Sequence, residues 1–595
     1  QPGGVVAVYA HRGAALAWAL LAIWKVGGTF IILDPRYPAA RLIDSLMLVQ
    51  PDAWLQLEAG GPPPAALLNC LDDLGCTSRH TLPERVEVVG TLFAEYAGYA
   101  PVPVGPDDQA YITFTSGSTG RQKAIIGTHQ PLAHFITWHV ETFGLHANDR
   151  FSMLSGLAHD PLLRDIFTPL SIGATLCIPD PDDLEQPDRL LHWMQAQAVS
   201  VAHLTPPLSR IMLPGSTEQT RGTLPALRYA FFGGDQLTGY HVAQLRAAAP
   251  EITCVNFYGA TETPQAMGSY LVHDTLTDSA NVPVGRGIEG VQLLVLNATG
   301  QITPVGEPGE IYIRSPYLAR GYLGDDALTA ERFIINPFTG AAGDRLYRTG
   351  DLGRYLPDGR VMFSGRSDQQ VKIRGFRIEL GEIETVLREH PAVREAVVVD
   401  GTAPAGGRRL LAYLTAAGEQ PPASSELRRH LRARLPEYMV PARFITLEVI
   451  PLTLNGKVDR RALPDSEHTR AAGRSQVVAP STAMERIIAQ VWREALGVEQ
   501  IGVHDNFFDL GGHSLLAVQI MAQIEQQTGV MLNPVILRAQ TLGQIAAMYT
   551  AQQDSAPSNP QDKPQDKSQG EPQPQEHPVK RMRRVFKRLV TGRQS

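Results

Sequence analysis

The sequence predicts a large α/β domain, then a small α+β unit, a small helical bundle and a disordered tail. Residues 5–360 alternate short apolar runs with amphipathic stretches, the rhythm of strands and helices in mixed or parallel sheets. Residues 482–550 carry helical periodicity alone. Residues 551–579 are Pro/Gln-rich and too polar to bury a core. At 595 residues the chain has room for roughly three to five domains.

The elements follow in order. Strand-like runs are "VVAVYA" at 5–10, "TFIIL" at 29–33, "VSVAHLT" at 199–205, "LRYAFFGG" at 227–234 and "TCVNFYG" at 253–259. Between the first two, "ALAWALLAIWKVG" (15–27) suits a helix. From Val291 the pattern shifts to strands and turns, with "VQLLVLNATG", "GEIYIRS" and "GRYLPDGRVMFSG"; Asp358-Gly359 in the last is a hairpin signal. Residues 369–463 combine helix-like "ELGEIETVLREH" with strand-like "REAVVVD" and "RLLAYLT", a small α+β unit. Residues 464–480 are polar, contain Pro464 and Pro480, and suit a linker. The bundle is built from "AMERIIAQVWREALG", "SLLAVQIMAQIEQQTG" and "TLGQIAAMYTAQQ".

Composition bounds the partners. Hydrophobic content of 43% and charged content of 19% are those of a globular protein. A net charge of −7 argues against nucleic acid as a ligand. Cys70, Cys76, Cys177 and Cys254 are scattered and form no C-x-x-C pair, which implies neither zinc nor a disulfide framework and suits a reducing cytoplasm. No apolar run of spanning length and no signal peptide is present, so a cytoplasmic location is expected. The chain opens at Gln1 directly in a strand-like segment, which predicts a first domain truncated at its N-terminus. The tail 580–595 holds seven Lys/Arg and no Asp/Glu, with Met582, Val585 and Leu589 at helical spacing. It is expected to be a solvated tail, a membrane-surface contact or a docking segment for a downstream enzyme.

The segment "FTSGSTGRQKA" (114–124) crowds hydroxyls and glycines behind the apolar run "AYITF". Glycines admit close backbone approach, successive N–H groups form an anion-binding concavity, and Lys123 adds a point charge. A polyanion or a plain flexible turn both fit this stretch alone. The G-x-x-x-x-G-K-[ST] spacing is absent. A second glycine motif, "GRGIEG" (285–290), matches G-x-G-x-x-G but precedes strand-like "VQLLVL", the wrong context for a dinucleotide fingerprint.

Further motifs fall in one order: "NFYGATETP" (256–264), "GEIYIRSPYLARGYL" (309–323), "YRTGDLGRYLPDG" (347–359), "GRSDQQVKIRGFRIELGEIE" (365–384), "NGKVDR" (455–460) and "DNFFDLGGHSLLA" (505–517). Together with the hydroxyl-rich loop they resemble the adenylation domain of nonribosomal peptide synthetases followed by its peptidyl carrier domain, over about residues 4–550. The resemblance implies an adenylation core at 1–368, its C-terminal subdomain at 369–463, a linker at 464–480, a phosphopantetheine carrier domain at 481–551, a disordered linker at 552–579 and the basic tail at 580–595. It implies an AMP-forming ligase that activates an amino acid with ATP and loads it on the carrier. Gln122 and Ala124 depart from the usual Pro and Gly of the loop. Thr115, Ser116, Gly117, Ser118, Thr119, Gly120 and Lys123 would cradle the ATP phosphates. Asn256, Gly259 and Thr261 would complete the nucleotide site, with Tyr258 on adenine, Asp351 on the ribose and Arg366 beside it. Lys457 would bridge substrate carboxylate and phosphate, and Glu262 would hold Mg²⁺, a hard cation suited to a carboxylate oxygen. Plainer readings make Tyr258 a core aromatic and Lys457 a solvated loop charge. Ser514, at a helix start, is either only an N-cap or also the attachment point of 4′-phosphopantetheine. Two steps that need different groups imply a rotation of the subdomain about a hinge at Asp368.

The stretch "GLAHDPLLRDIFTPL" (156–170) resembles the adenylation domains of α-aminoadipate reductases down to Pro161 and Arg164. The pocket positions so implied are His159, Asp160, Pro161, Arg164, His203, Phe231, Gly233, Phe257, Gln265 and Ala266. Asp160 would pair with the substrate α-ammonium. Arg164 either faces the pocket and asks for an acidic or strongly hydrogen-bonding side chain, or pairs with Asp165 or another carboxylate. Gln265 departs from the second arginine of that pattern. Two other readings stand: the adenylation–carrier part of a carboxylic-acid reductase, and a non-enzymatic scaffold presenting a carrier domain. No H-H-x-x-x-D-G or G-x-S-x-G motif is present. The partners implied are an amino acid, a phosphopantetheinyl transferase, a downstream acceptor and an MbtH-like activator.

Overall fold

A computed structural model describes residues 3–83, 100–117, 122–185, 187–213, 220–273, 277–278, 280–368, 370–373, 375–402, 408–418, 421–451, 458–464, 478–496, 498, 500–507, 510, 512, 514–530, 536–537 and 540–554. Ser118, Thr119, Gly120, Lys457 and the basic tail lie outside them.

The large domain is built on two seven-stranded mixed sheets. The first runs, edge to edge, Gly321–Tyr322, Lys123–Thr128, Gln109–Thr115, Thr29–Leu33, Val5–Tyr9, Ala53–Leu57 and Ser78–Leu82. From Gln109–Thr115 outward through Ser78–Leu82 its strands pair in parallel. The second runs Arg286–Gly287, Gly268–Leu271, Thr253–Tyr258, Tyr229–Phe232, Val201–Leu204, Arg150–Ser152 and Thr175–Cys177, parallel from Thr253–Tyr258 onward. Near-continuous Val, Ile, Leu and Phe make such strands, because parallel sheets are covered on both faces. The helix Pro161–Ser171 shows that logic on a helix: residues 162–169 are all buried, and Leu162, Leu163, Ile166 and Phe167 join one core cluster.

A five-stranded antiparallel sheet follows, containing Gln292–Leu296, Gly309–Arg314, Arg345–Tyr355, Val361–Arg366 and Phe333–Ile335. Arg345–Tyr355 and Val361–Arg366 form the hairpin that Asp358-Gly359 signals, with Gly359 at φ +80°. Since Gln292–Leu296 is a strand, the decoy "GRGIEG" opens no helix.

The subdomain holds the hairpin Gln370–Ile373/Phe376–Glu379, the helix Leu380–Arg388, a three-stranded sheet and the helix Ser424–Arg432. The bundle contains Ala483–Leu496, Ser514–Thr528 and Leu542–Asp554 around buried Trp492, Phe507 and Tyr549. Among the described residues no helix is long and apolar enough to cross a membrane. All four cysteines are buried and none forms a disulfide.

Candidate active site

The turns that follow three strands meet the subdomain hairpin. After Gln109–Thr115, the Ser116 hydroxyl donates to Arg377 O at 3.0 Å and accepts from Glu379 N at 3.1 Å. After Tyr229–Phe232 comes Gly234, at φ +83°, where a Cβ would lie 3.2 Å from Gly375 O. After Thr253–Tyr258, Glu262 accepts from Arg377 Nη1 at 2.8 Å and from Tyr322 OH at 2.7 Å. Ligands of open α/β sheets bind beyond the carboxyl ends of strands, where these turns stand.

Glu262 is only 1% exposed. Burial raises its pKa, but Arg377 and the Tyr322 hydroxyl outweigh this and hold it below the ordinary value. Lys123 reaches Glu379 at 3.7 Å and is paired with Thr115 across the strands. Gln122, the departure from proline, donates to Arg41 O at 2.9 Å. Arg41 in turn forms a 2.8 Å ion pair with Glu382, their side chains 6% and 3% exposed. Glu382 also accepts from the backbone of Gly117.

On the opposite side of the cleft, Tyr258 OH donates to Asp351 Oδ2 at 2.7 Å, and Arg366 pairs with Asp351 Oδ1. Arg366 also holds both oxygens of Asp368, at 2.7 and 2.8 Å. The expected hinge residue is therefore tied to the expected nucleotide contact. Gly350 is needed beside them, since its φ is +75° and a Cβ would stand 2.7 Å from Asp368 Oδ2. Asn256 donates its amide to Pro283 O at 2.8 Å, and Gly259 packs against Thr263. Tyr258 is buried in a core cluster, as the plainer reading expects, and also lines the cleft.

The positions expected to line an amino-acid pocket also converge. Asp160 and Arg164 are one turn apart at the start of Pro161–Ser171, with Pro161 as its first residue. Gln265 N donates to Asp160 Oδ2 at 3.3 Å and Gln265 Nε2 to Asp160 O at 3.0 Å. Burial pushes the Asp160 carboxyl up to about 6, against the pull of Gln265 N–H, Arg164 and the Thr261 hydroxyl. Arg164 is 5% exposed, donates from Nη1 to Gln265 O at 2.9 Å and stands over the Phe257 ring. A Cβ on Gly233 would lie 3.7 Å from Arg164 Nη2. The Asp165 and Asp160 charges both act on it, but Asp165 makes no direct bond to it: Asp165 Oδ2 accepts from Leu154 N and Ser155 N, and Oδ1 lies 2.9 Å from His203 Nδ1. Among the described residues Arg164 has no ion pair, so the alternative of an Arg164–Asp165 bridge is not the one formed. Phe231 and Phe257 stack at 5.0 Å, and Ala266 is buried. His159 departs from the group: its ring packs 5.1 Å from Phe376 of the hairpin, and burial lowers its pKa to about 4.

Ser514 is the first residue of the helix Ser514–Thr528. Leu510, Gly512 and Leu516 around it line a cleft of about 1210 Å³ that runs past Lys372 and Gly234 to Tyr258 and Arg366. Gly234 and Gly375 pack closely at its wall, where a Cβ on Gly234 would lie 3.2 Å from Gly375 O and one on Gly375 would meet Thr205 at 2.6 Å. The open cleft itself has room for a slender arm. Glu262 is a buried carboxylate of the kind that holds Mg²⁺ together with substrate phosphates, and in this orientation its two oxygens are engaged by Tyr322 and Arg377. Among the described residues no cluster of three His, Cys, Asp or Glu offers an all-protein cage instead.

Arg377, Tyr322, Arg41 and Glu382 are site residues that motif reading leaves unassigned. Arg377 and Glu382 lie inside the quoted "RGFRIELGEIE" and Tyr322 inside "GEIYIRSPYLARGYL", so their signal was position within a motif. Arg41 had none.

Turns at strand ends, a buried carboxylate and a helical bundle facing one cleft define an α/β nucleotide-site enzyme with an appended carrier-type bundle. The sequence profile for AMP-binding enzymes matches residues 1–323, that for the AMP-binding enzyme C-terminal domain matches 382–457, and that for the phosphopantetheine attachment site matches 486–549. The chain belongs to the AMP-binding enzyme family and has the adenylation–carrier architecture of nonribosomal peptide synthetases. It is 40% identical to a linear gramicidin synthase polypeptide of Brevibacillus parabrevis, over 92% of this chain and 7% of that protein. It is 36% identical to L-2-aminoadipate reductase of Schizosaccharomyces pombe, over 89% of this chain and 42% of that protein. The chain thus spans less than half the length of either relative. The solved structure of holo-PA1221, an NRPS protein containing adenylation and PCP domains bound to a vinylsulfonamide inhibitor, superposes with a TM-score of 0.75 at 29% identity, covering 93% of this chain and 88% of that one.

Proposed function

We propose that the chain activates an amino acid with ATP and loads it on its own carrier domain as part of nonribosomal peptide or related synthesis. The observation that carries this is one cleft joining Tyr258 and Arg366 to Gly512 and Leu516 of the bundle. In the first step the amino-acid carboxylate attacks the α-phosphorus of ATP, and the bond to pyrophosphate breaks. Asp160 holds the α-ammonium. Thr115, Ser116, Gly117, Lys123 and the flanking loop neutralise phosphate charge, and Lys457 joins them. Tyr258, Asp351 and Arg366 position the nucleoside. Glu262 would hold Mg²⁺, which supplies charge neutralisation on the phosphates.

In the second step Ser514 would hold 4′-phosphopantetheine, which when bound supplies a thiol as the acyl acceptor, with AMP as the group displaced. We assign the subdomain orientation described here to this step. Arg377 then neutralises Glu262, and the hairpin faces the cleft that the bundle lines. A phosphopantetheinyl transferase must supply the arm, and a downstream enzyme must accept the product. An MbtH-like activator and a docking role for the 580–595 tail belong to the same reading.

The test is ATP–pyrophosphate exchange over a panel of amino and hydroxy acids, followed by intact mass of the carrier. Exchange that depends on one amino acid, and a matching mass gain, are expected. A folded protein that exchanges with none would overturn the proposal. The 36% identity to an aminoadipate reductase supports a second reading, in which the loaded acid is reduced by a separate NADPH-dependent enzyme. Aldehyde release on adding such a reductase distinguishes it.

A further inference from the structure

The helix His129–Phe143 lies outside the stretch that defines the pocket, yet its His139 packs against pocket positions. His139 is 0% exposed. Its ring stands edge-on to Phe231 at 4.4 Å, with the His203 ring 5.3 Å and the Phe257 ring 5.7 Å away. Those three residues are pocket positions that converge around Arg164. Among the described residues neither nitrogen of His139 finds a hydrogen-bond partner. A buried polar atom without a partner costs its full desolvation penalty, so two on one ring call for a ligand or a water. The neighbours are in the same condition: Arg164 Nε, His203 Nε2 and Gln265 Oε1 are buried and unpartnered among the described residues. Two imidazoles 5.3 Å apart, with the Arg164 cation close enough to act on His139, thus share one buried neighbourhood beside the pocket positions.

We infer that His139 is a specificity-determining residue of the amino-acid pocket, which with Arg164 holds the acidic end of a substrate side chain whose α-ammonium sits at Asp160. The inference rests on the amino-acid-activating reading and deepens it. Burial, with His203 and Arg164 nearby, lowers the His139 pKa well below its ordinary value, so the ring is neutral. A neutral imidazole offers one donor and one acceptor. A side-chain carboxylate reaching this point accepts from Arg164 Nε–H on one side and from His139 N–H on the other. Asp160 and Arg164 are four residues apart on one helix, a rise of about 6 Å, which favours a long side chain. An apolar side chain would leave every one of these atoms unpaired.

The experiment is ATP–pyrophosphate exchange by the full chain, with L-glutamate and L-2-aminoadipate set against their apolar isosteres L-norvaline and L-norleucine. The wild type is expected to favour an acidic member in kcat/KM. His139→Phe and His139→Leu should cut that ratio about tenfold, chiefly through KM, while His139→Gln, which keeps a donor and an acceptor, retains most of it. Circular dichroism checks each variant. Should His139→Phe not fold, the Leu/Gln pair makes the same comparison. A wild type that favours an apolar isostere or turns over none of the four, or a folded Leu or Phe variant with the wild-type ratio, overturns the role of His139 and leaves amino-acid activation standing. A wild type that exchanges with no amino acid at all overturns the activating reading itself, and this inference with it.

Discussion

Arg164 is a buried cation that feels the Asp165 and Asp160 charges but forms no ion pair among the described residues, so a ligand carboxylate would give it a direct counter-charge. Arg164→Leu is therefore expected to lower the preference for an acidic side chain over its apolar isostere by about 1.5–3 kcal/mol, the range of a charge-assisted hydrogen bond. The ratio of kcat/KM values for L-2-aminoadipate and L-norleucine reads this directly, and an unchanged ratio would make Arg164 structural. Asp160 sets a pH dependence. Its carboxyl is pushed up to about 6 in the free protein, and only the ionised form attracts an ammonium. Substrate binding then releases a proton below that pH, so kcat/KM should fall about tenfold per unit as pH drops beneath about 6 and level off above it. A profile flat down to pH 4.5 contradicts this, and Asp160→Asn should remove both the step and most of the binding. Both residues were legible in the sequence because the run 156–170 that holds them resembles the adenylation domains of α-aminoadipate reductases. His139 was not: inside "FITWHVETF" it reads as a core histidine, and only the tertiary meeting of His129–Phe143 with Tyr229–Phe232 gives it a function.

At the scale of elements, the hairpin 370–379 and the helix Leu380–Arg388 are clamped to the large domain by polar groups rather than by a shared apolar core. The Arg41–Glu382 pair is the most buried of these contacts. Removing one partner of a buried pair costs about 3–5 kcal/mol, because the other charge is left uncompensated, whereas replacing both by apolar groups is often neutral. That cost falls only on the orientation in which the two meet. Arg41→Met is therefore expected to slow carrier loading about 10- to 100-fold while leaving pyrophosphate exchange within a few-fold, a shift in the population of one orientation. The double variant Arg41→Met, Glu382→Leu should recover most of the loading rate. Single-turnover loading from pre-formed acyl-adenylate measures it, and equal loss in both half-reactions would show that the pair merely stabilises the fold. Local periodicity and the Asp358-Gly359 turn made strands, helices and hairpin readable. The order of strands within the two seven-stranded sheets was not readable, because register between segments hundreds of residues apart is set by packing. The 341 residues separating Arg41 from Glu382 explain why their pairing left no local trace.

At the scale of the whole molecule, two chemical steps are divided between parts of the chain that share one cleft but not their reacting groups. Lys457 is assigned to the first step and Ser514 to the second, which gives a crossed prediction. Lys457→Ala should lower amino-acid-dependent exchange by about two or more orders of magnitude, the scale of a lost transition-state contact. The same variant should load normally when acyl-adenylate is supplied, since the charge it provides is needed only while phosphate is being displaced. Ser514→Ala should exchange at the wild-type rate and gain no mass on incubation with a phosphopantetheinyl transferase and coenzyme A. Intact-protein mass spectrometry and exchange on the same two variants complete the square. A Ser514→Ala protein that still gains the arm would move the attachment point elsewhere. A Lys457→Ala protein defective in both steps would mean that its loop shapes the cleft rather than supplying a charge. The crossed outcome alone fits a chain in which the α/β domains make an activated acid and the bundle, reaching the same site through Leu510, Gly512 and Leu516, carries it away.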